Sequence, residues 1–273
     1  MSTLSFHDRL RLDSRVALVT GGGAGIGRAI SHGLASQGAQ VAVLDIDLSA
    51  AEQTVKEITS LGAQATAWAC NVIHAEEVSE VLANVIDYYK RLDIVVNSAG
   101  VISAPGMPFT NNSVGDWERV LSINLMGAVH ICNGSYEALI KSDAARIINI
   151  SSITGVISAA YMPPYSVSKA ALISFSKVLA RDLALHHITV NAVCPGFIWT
   201  PLWESLGKTM AQHSHGVQGQ NAKEVFNSRV EQHVPMGRPQ TLEDIADAVV
   251  FLSSSAASNI TGQVLGVDGG VTI

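Results

Sequence analysis

The sequence has 273 residues, a formal net charge of −6, 48% hydrophobic residues and 15% charged residues. This composition is typical of a folded globular protein and excludes a disordered chain. The negative charge argues against a protein that binds nucleic acid, and no apolar run approaches the roughly 18 residues that a membrane-spanning helix requires.

The first 14 residues are polar and lack the apolar core of a secretory signal, so we expect them to be a lead-in to the fold. Cysteines occur at three scattered positions without the spacing of a metal site: Cys70, Cys132 and Cys194. An odd number of cysteines without a signal peptide indicates a reducing compartment. We therefore expect a cytoplasmic protein whose thiols are small core residues.

Short apolar runs alternate with amphipathic segments along the chain, which is the pattern of a parallel sheet with helices on both faces. Strands are expected at 16–20, 41–44, 64–69, 93–96, 145–150, 188–193 and 264–267. Helices are expected up to about residue 37 and at 49–60, 75–90, 114–140, 164–187 and 241–252. The sequence predicts an α/β, Rossmann-like doubly wound sheet of about seven strands, in one domain spanning residues 1–273.

A glycine-rich turn joins the first strand to the first long helix and contains Gly21, Gly25 and Gly27. Backbone N–H groups and the positive end of the helix dipole meet at such a turn, and glycine lets the backbone approach a phosphate closely. The spacing differs from the common G-x-G-x-x-G fingerprint. Its position between a strand and a helix nevertheless predicts a nucleotide site.

An acidic residue, Asp45, ends the second strand about 20 residues after the glycine turn. A carboxylate there accepts a hydrogen bond from the ribose 2′-hydroxyl of NAD and repels the 2′-phosphate of NADP. Ala24 gives the turn no positive charge for a 2′-phosphate. The cofactor is therefore predicted to be NAD, with Asp47 as a weaker competitor for the role of Asp45.

Tyr165 and Lys169 lie four residues apart on a predicted helix, so they share one face. An ammonium beside a phenol favours the phenolate and lowers its pKa, which would suit a proton transfer to or from a substrate oxygen. Ser152 follows a predicted strand and can hold that oxygen. A Tyr-x-x-x-Lys pair alone more often marks a solvated helix face, so the catalytic interpretation depends on the glycine turn upstream.

Together these residues resemble the short-chain dehydrogenase/reductase family from about Arg15 to the C-terminus. The matching motifs are Thr20–Gly27 for the glycine loop, Asn97–Gly100, the set Asn124, Ser152, Tyr165 and Lys169, Asn191–Gly196, and Thr200. Two positions depart from the family pattern. Asn71 stands where an Asp is usual beside the adenine, and Ser98 replaces a second Asn, so we expect local changes in hydrogen bonding at both.

The resemblance implies a role for each of the four catalytic residues. Tyr165 would be the general acid/base, and Ser152 would polarise the substrate oxygen. Lys169 would lower the pKa of Tyr165 and bind the nicotinamide ribose, while Asn124 would hold a water through its helix in a proton relay. The implied cofactor residues are Gly21, Gly25, Ile26, Gly27, Asp45, Ile46, Asn71, Val72, Asn97, Ala99, Gly100, Tyr165, Lys169, Pro195, Gly196, Ile198 and Thr200.

Residues 200–235 break the alternation of strands and helices and are rich in polar residues. The resemblance identifies this segment as a substrate lid. Its aromatic side chains either contact an apolar or ring-shaped substrate or only anchor the lid, and the sequence favours neither interpretation. The expected substrate pocket contains Ser152, Thr154, Met162, Phe197, Trp199 and Trp203, with Ile153 and Val156 in the same wall.

The leading hypothesis is an NAD-dependent dehydrogenase that interconverts a small secondary alcohol and a ketone. A highly anionic substrate is not expected, because Lys169 is the one cation close in sequence to the catalytic set. NAD use favours alcohol oxidation, although direction rests on metabolism and not on the residues. The competing hypotheses are an NADPH-dependent 3-oxoacyl thioester reductase and a catalytically idle nucleotide-binding scaffold.

No metal is expected, because no His/Cys cluster is present and His213 and His215 lie in a polar stretch. The predicted helix that carries Tyr165 is rich in small residues, which allow close packing against another helix. By resemblance we expect a homotetramer in which this helix and the one near 114–140 lie between subunits.

Overall fold

A computed structural model describes residues 5–103, 109–213 and 218–273. Its strands are β1 (Val16–Thr20), β2 (Gln40–Asp45), β3 (Ala65–Ala69), β4 (Ile94–Asn97), β5 (Arg146–Ile150), β6 (Thr189–Pro195) and β7 (Val264–Val267). All pairs are parallel, in the order β3-β2-β1-β4-β5-β6-β7. The predicted doubly wound sheet is confirmed, with strand ends within two residues of those expected.

Eleven α-helices occur in the described residues. They are α1 (Phe6–Leu10), α2 (Gly25–Ser36), α3 (Leu48–Ser60), α4 (Ala75–Tyr89), α5 (Val114–Leu121), α6 (Gly127–Leu139), α7 (Thr154–Ile157), α8 (Pro163–Asp182), α9 (Pro201–His213), α10 (Ala222–His233) and α11 (Leu242–Ser253). Short 3₁₀ turns lie at Phe109–Asn111, Ala184–His186 and Ser255–Ala257. None of the helices among the described residues combines the length and apolar character needed to cross a bilayer.

The two faces of the sheet bury two separate apolar clusters, because successive strand residues point to opposite sides. On β1, Ala17 and Val19 face the cluster that includes residues of α2, α3 and α11. Val16 and Leu18 face the cluster formed with α4, α6 and the end of α8. Near-continuous apolar strands of this kind are expected in a parallel sheet that is covered on both sides.

The strand order reverses between β1 and β4, where one connection runs toward β2 and the other toward β5. Thr20 is paired with Asn97 at the carboxyl ends of these two strands. Ligands of open α/β sheets bind in the crevice outside such a switch point. The fold therefore places the glycine turn, which follows Thr20, at the expected binding edge.

The segment 200–235 is more regular than its polar composition suggests. It contains α9 and α10, which pack together around a third apolar cluster with Leu206, Phe226 and Val230. The sequence analysis did not predict these helices because their apolar residues are sparse among many polar ones. Residues 214–217 of the predicted lid, including His215, and the side chain of His213 lie outside the described part.

The predicted helix at 114–140 is interrupted. A π-helical turn, Ser122–Met126, separates α5 from α6. One extra residue per turn displaces the backbone hydrogen bonds locally, and such insertions often occur at functional sites. Asn124 lies in this turn and is buried.

Candidate active site

A cavity of about 470 Å³ lies at the carboxyl ends of the strands and extends from the glycine turn to the lid. One end is lined by the turn and by the ends of β2 and β3. The other end is lined by α7, the start of α8 and α9. The structure thus places the nucleotide motif and the Tyr-Lys motif in one continuous space.

The glycine turn packs too closely against neighbouring backbone to accept side chains at Gly21 and Gly27. Gly21 has a φ of +64°, and a Cβ there would lie 2.9 Å from the Cα of Ala99. A Cβ on Gly27 would overlap the carbonyl oxygen of Gly21. The residue before α2, Ala24, forms no side-chain cap, so the first N–H groups of the helix have no side-chain acceptor. These residues fit the pyrophosphate of a dinucleotide.

Asp45 lines the cavity with its carboxylate held by the backbone. Oδ2 accepts from the N–H of Gly23 at 2.9 Å, and Oδ1 accepts from the N–H of Asp47 at 3.0 Å. Asp47 instead caps α3 by accepting from Ser49 and Ala50. The geometry favours Asp45 over its competitor, because Asp45 lines this cavity and Asp47 does not.

Arg28 stabilises the glycine turn, a role that was not predicted from the sequence. Its guanidinium donates two hydrogen bonds to the carbonyl of Gly23, at 3.0 and 2.6 Å. The Thr54 hydroxyl donates to the neighbouring carbonyl of Gly22 at 3.1 Å. The turn that positions the Gly23 N–H toward Asp45 is therefore fixed by side chains of α2 and α3. A cation one turn into the helix was the sequence signal for this role.

Lys169 is buried beneath the cavity on α8, next to the end of β5. Its ammonium donates to the carbonyl of Ile150 at 2.8 Å, and its Nζ lies 5.6 Å from the centroid of the Tyr165 ring. The hydroxyl of Ser151 donates to the carbonyl of Lys169 at 2.8 Å, which ties α8 to β5. Burial lowers the pKa of Lys169 to about 8.

The predicted acidic phenol is not observed. Burial raises the pKa of Tyr165 to about 12, and a hydrogen bond with Ser152 offsets only part of that effect. Removal from water disfavours the phenolate, while the ammonium of Lys169 is directed to the carbonyl of Ile150. The expectation that Lys169 lowers this pKa is therefore wrong for the protein alone. Tyr165 remains a protonated phenol at neutral pH.

Ser152 lies at the end of β5, where its hydroxyl meets both the substrate end of the cavity and Tyr165. Its Oγ accepts hydrogen bonds from the N–H and the hydroxyl of Thr154, each at 3.2 Å. These contacts with the first residue of α7 fix the position of the Ser152 oxygen. The arrangement presents two hydroxyl groups, those of Ser152 and Tyr165, to one bound oxygen atom.

The side chain of Asn124 does not reach the cavity. Its Oδ1 accepts from the N–H of Val101 at 2.8 Å, and its Nδ2 donates to the Val101 carbonyl and to the Ser168 hydroxyl, each at 2.9 Å. The amide is thus fully used in tying the π turn to α8 and to the loop after β4. The predicted water contact can come only from the backbone of this turn and stays a prediction.

Asn97 is also outside the cavity lining. Its amide donates to Asn149 at 2.8 Å and contacts the sulfur of Cys132 at 3.4 Å, so it joins β4 to β5 and α6. The next residues, Ser98 and Ala99, donate their N–H groups to the hydroxyl of Thr20 at 3.1 Å. Asn97 therefore supports the cofactor end of the sheet without facing the cavity, which its motif could not reveal.

The remaining predicted cofactor residues are brought together at the cavity wall. They are Gly21, Gly25, Ile26, Gly27, Asp45, Ile46, Asn71, Val72, Ala99, Gly100, Tyr165, Lys169, Pro195, Gly196, Ile198 and Thr200. Asn71 uses its Oδ1 to accept from the N–H of Ile73 at 3.3 Å. Its amide N–H₂ group is then the part that can face an adenine edge, which differs from the usual Asp.

The substrate end has an apolar wall, and the two lid tryptophans differ in position. Ser152, Ile153, Thr154, Met162, Phe197 and Trp203 line the cavity. Trp199 does not; its ring packs edge-on against Phe226, with centroids 5.2 Å apart. The structure therefore assigns Trp203 to the wall and Trp199 to anchoring of the lid, while Val156 is exposed on the surface. Tyr161 and Leu206 also line the cavity and were not predicted.

The three cysteines are free and buried, as expected of core residues. Burial raises the pKa of Cys70 to about 11 and that of Cys132 to about 12, and it also raises the pKa of Cys194. Thiols of this kind are poor nucleophiles. Within the described ranges no group of three His, Cys, Asp or Glu side chains is arranged to hold a metal ion.

Comparisons with known proteins agree with this geometry. A family model described as enoyl-(acyl carrier protein) reductase matches residues 21–272. A 3-oxoacyl-(acyl-carrier-protein) reductase of Thermotoga maritima is 34% identical over 264 residues, which is 97% of this chain and 100% of that protein. A (3R)-3-hydroxyacyl-CoA dehydrogenase of Canis lupus familiaris is 36% identical and covers 96% of this chain and 98% of its own. The crystal structure of an NAD⁺-bound xylitol dehydrogenase superimposes with a TM-score of 0.89 at 31% identity, over 94% of this chain and 99% of that one.

Proposed function

The chain belongs to the short-chain dehydrogenase/reductase family, and we propose that it interconverts a secondary alcohol and a ketone with NAD as the hydride carrier. The observation that carries the proposal is the single cavity in which Ser152, Tyr165 and Lys169 face the glycine turn and Asp45. Binding and proton transfer are the tasks of the protein, because the cofactor performs the redox chemistry.

The residues present fit a dinucleotide along the cavity. The glycine turn and the start of α2 would hold the pyrophosphate, and Asp45 would accept from the adenosine ribose. Lys169 and Thr200, both in the cavity wall, would hold the nicotinamide half. When bound, the nicotinamide supplies a hydride to the substrate carbon or accepts one from it. NAD is favoured because two backbone N–H groups hold the Asp45 carboxylate at the cavity wall, where its charge would repel a 2′-phosphate.

Tyr165 would act on the substrate oxygen. As hydride reaches a ketone carbon, negative charge develops on the oxygen, and the phenol donates its proton to that oxygen. The Ser152 hydroxyl, which lines the same part of the cavity as the phenol, would donate to the same oxygen and stabilise the developing charge. A pKa of about 12 keeps the phenol protonated at neutral pH, which is the state that can donate a proton to a ketone oxygen.

Reduction of a 3-oxoacyl thioester is a second candidate function. It is supported by the relatives of that name, which are 34–35% identical over nearly the whole chain. The apolar wall of Ile153, Met162 and Trp203 can accommodate an acyl chain as well as an aliphatic alcohol. Asp45 argues against an NADPH-dependent version of this enzyme, because its charge would repel the 2′-phosphate.

Parallel kinetics with NADH and NADPH test the assignment. The panel should hold simple ketones, hydroxylated ketones and 3-oxoacyl thioesters, each measured with both cofactors at matched concentrations. We expect a kcat/KM with NADH that exceeds that with NADPH by at least about tenfold on the best substrate. A strong NADPH preference contradicts the cofactor assignment, and turnover restricted to thioesters selects the second candidate.

A homotetramer in the cytoplasm is part of the same proposal. The helices expected between subunits carry exposed apolar side chains: Met126 of the π turn is 41% exposed, and Val167 and Val178 of α8 are 48% and 61% exposed. Apolar groups at such positions favour burial against another subunit. Light scattering on the purified protein checks the mass. The free buried thiols support a reducing compartment.

A further inference from the structure

The cavity continues beyond Asp45 to an end formed by the residues that follow β2 and β3. The side chains that line this base end are those of Ile46, Cys70, Asn71 and Val72. Asp45 is paired with Ala69 across the two strands, and its carbonyl accepts from the N–H of Cys70 at 2.9 Å. Because Asp45 would hold the adenosine ribose, the base attached to that ribose would lie against these four residues.

The base end is apolar apart from the amide of Asn71. Ile46 is 72% exposed although it lies in the cavity wall, and Val72 is buried. Binding sites combine apolar surface of this kind with a few polar groups that decide specificity. The thiol of Cys70 is only a weak hydrogen-bonding group. Among these side chains, recognition of the polar edge of a base therefore depends on Asn71.

The amide of Asn71 has a fixed orientation. Its Oδ1 accepts from the N–H of Ile73 at 3.3 Å, as in an Asx turn. The opposite orientation would place the Nδ2 donor against the same N–H, so the oxygen keeps this position. The backbone N–H of Asn71 donates to Oε1 of Glu77 at 2.7 Å. Both the main chain and the side chain of Asn71 are thus held in place.

Val72, the next residue, is held by α6. Its carbonyl accepts from Nδ1 of His130 at 2.9 Å. A Cβ on Gly127 would lie only 2.6 Å from Cγ2 of Val72, so the helix and this loop are in close contact. The loop after β3 is therefore a rigid part of the cavity wall.

The hydrogen-bonding groups that remain free in this loop are donors. Within the described ranges, neither the Nδ2 of Asn71 nor the N–H of Val72 has an acceptor. The carboxylate of Glu77 accepts from the backbone and does not line the cavity. A carboxylate at position 71 would offer a free acceptor, whereas Asn71 offers a free donor.

We propose that Asn71 makes the base end select acceptor atoms on a purine, so that the protein binds a 6-oxopurine dinucleotide at least as tightly as NAD. The dinucleotide site of the proposed function is the basis of this inference. Adenine carries a donor amino group at C6 beside the N7 acceptor, whereas a 6-oxopurine carries two acceptors, O6 and N7. A donor amide finds no partner in the 6-amino group and finds one in the 6-oxo group.

Calorimetric titration of the full-length protein at neutral pH tests the inference without turnover. The probes are NADH and reduced nicotinamide hypoxanthine dinucleotide, which differ only in the purine. The variant Asn71→Asp keeps the shape of the side chain and the bond to Ile73, but it replaces the donor with an acceptor. The matched control is Asn221→Asp. Asn221 caps α10 by accepting from the N–H of Glu224 at 2.9 Å and lies outside the cavity lining, and Asp caps a helix equally well.

Wild-type protein is expected to bind the hypoxanthine dinucleotide at least as tightly as NADH. Asn71→Asp should shift the ratio of the two Kd values toward NADH by at least about tenfold, since a mismatched polar group loses that much affinity. The added charge acts equally on both probes and cancels in the ratio. Asn221→Asp should leave the ratio unchanged.

A wild-type preference for NADH of more than about threefold overturns the inference, and this result needs no variant. An unchanged ratio in Asn71→Asp also overturns it, because a residue that only holds the loop would leave the ratio unmoved. Should the expected ratios be found while no ketone or alcohol reacts, the base preference stands and the proposed function fails. Turnover with NADH and a strong wild-type preference for adenine have the opposite meaning.

Discussion

The Nζ of Lys169 lies 5.6 Å from the centroid of the Tyr165 ring, while its proton is donated to the carbonyl of Ile150 at 2.8 Å. The two residues share a helix face, yet burial is the main cause of the pKa shift of each. Burial lowers the pKa of the ammonium to about 8 and raises that of the phenol to about 12. The pair therefore consists of a weakly acidic phenol and a readily neutralised cation, and this sets the pH behaviour expected of the enzyme.

Ketone reduction should weaken in alkaline solution. Because the pKa of Lys169 is lowered to about 8, its ammonium is present below that pH and is lost as the pH rises through it. The phenol of Tyr165, with a pKa of about 12, adds no ionisation near neutrality. We expect kcat/KM for reduction to fall about tenfold per pH unit above about pH 8. A kcat/KM for reduction that stays constant up to about pH 10 would show that the Lys169 ammonium is not required.

Asp45→Asn should change the cofactor preference. Removing the negative charge eliminates the repulsion of a 2′-phosphate and weakens the contact with the ribose hydroxyls. We expect the ratio of kcat/KM for NADH to that for NADPH to fall at least about tenfold, at a free-energy change of about 1.4 kcal/mol. The control is Asp47→Asn, which lies outside the cavity and caps α3. An equal change in both variants would count against Asp45.

Arg28→Met should weaken binding of the cofactor without affecting the chemical step. The variant loses both hydrogen bonds to the Gly23 carbonyl, so the turn that presents the Gly23 N–H to Asp45 becomes less ordered. We expect the Kd for NAD to rise about tenfold, with kcat changed less than about twofold. Arg11→Met, which breaks a surface pair with Asp13, is the control. A fall in kcat with an unchanged Kd would show that Arg28 acts elsewhere.

Substitutions of the two lid tryptophans should have different effects, one on substrate binding and the other on stability. Trp203→Leu alters the cavity wall and should change the KM for substrate several-fold. Trp199→Leu removes the edge contact with Phe226 and the cation–π contact with Lys223, so it should lower the thermal stability of the lid more than it changes KM. Steady-state kinetics and melting curves distinguish the two. The reverse pattern would mean that the assignments of wall and anchor are exchanged.

The parts of the fold that could be predicted from sequence are those fixed by local pattern. Apolar strand runs, the glycine turn before α2 and the Tyr165–Lys169 spacing each depend on neighbours within a few residues, and the structure places them as expected. The helices of the lid were missed because they are stabilised by one apolar cluster that contains Leu206 and Phe226, and packing between distant residues is not visible in a local pattern. Most residues beside them are polar, so the local sequence pattern did not indicate two helices.

Side-chain direction was the harder part of the site. Asn97 and Asn124 belong to recognisable motifs, but their amides turn to Asn149 and to Val101, and only the packed structure decides this. The predicted lowering of the Tyr165 pKa was wrong for a related reason. The sequence gives the spacing of an ammonium and a phenol, whereas the pKa depends on the burial of both and on where the ammonium donates its hydrogen bond.

The proton-transfer role of Tyr165 is tested most directly by Tyr165→Phe, which removes one hydroxyl and keeps the ring. Turnover of the best ketone with NADH is measured beside an NADH binding titration that shows whether the variant is folded and competent to bind. We predict an NADH Kd within about twofold of wild type and a kcat lower by at least about 100-fold, as expected for the loss of a general acid. Undiminished turnover in a variant that binds NADH normally would contradict the proposed function.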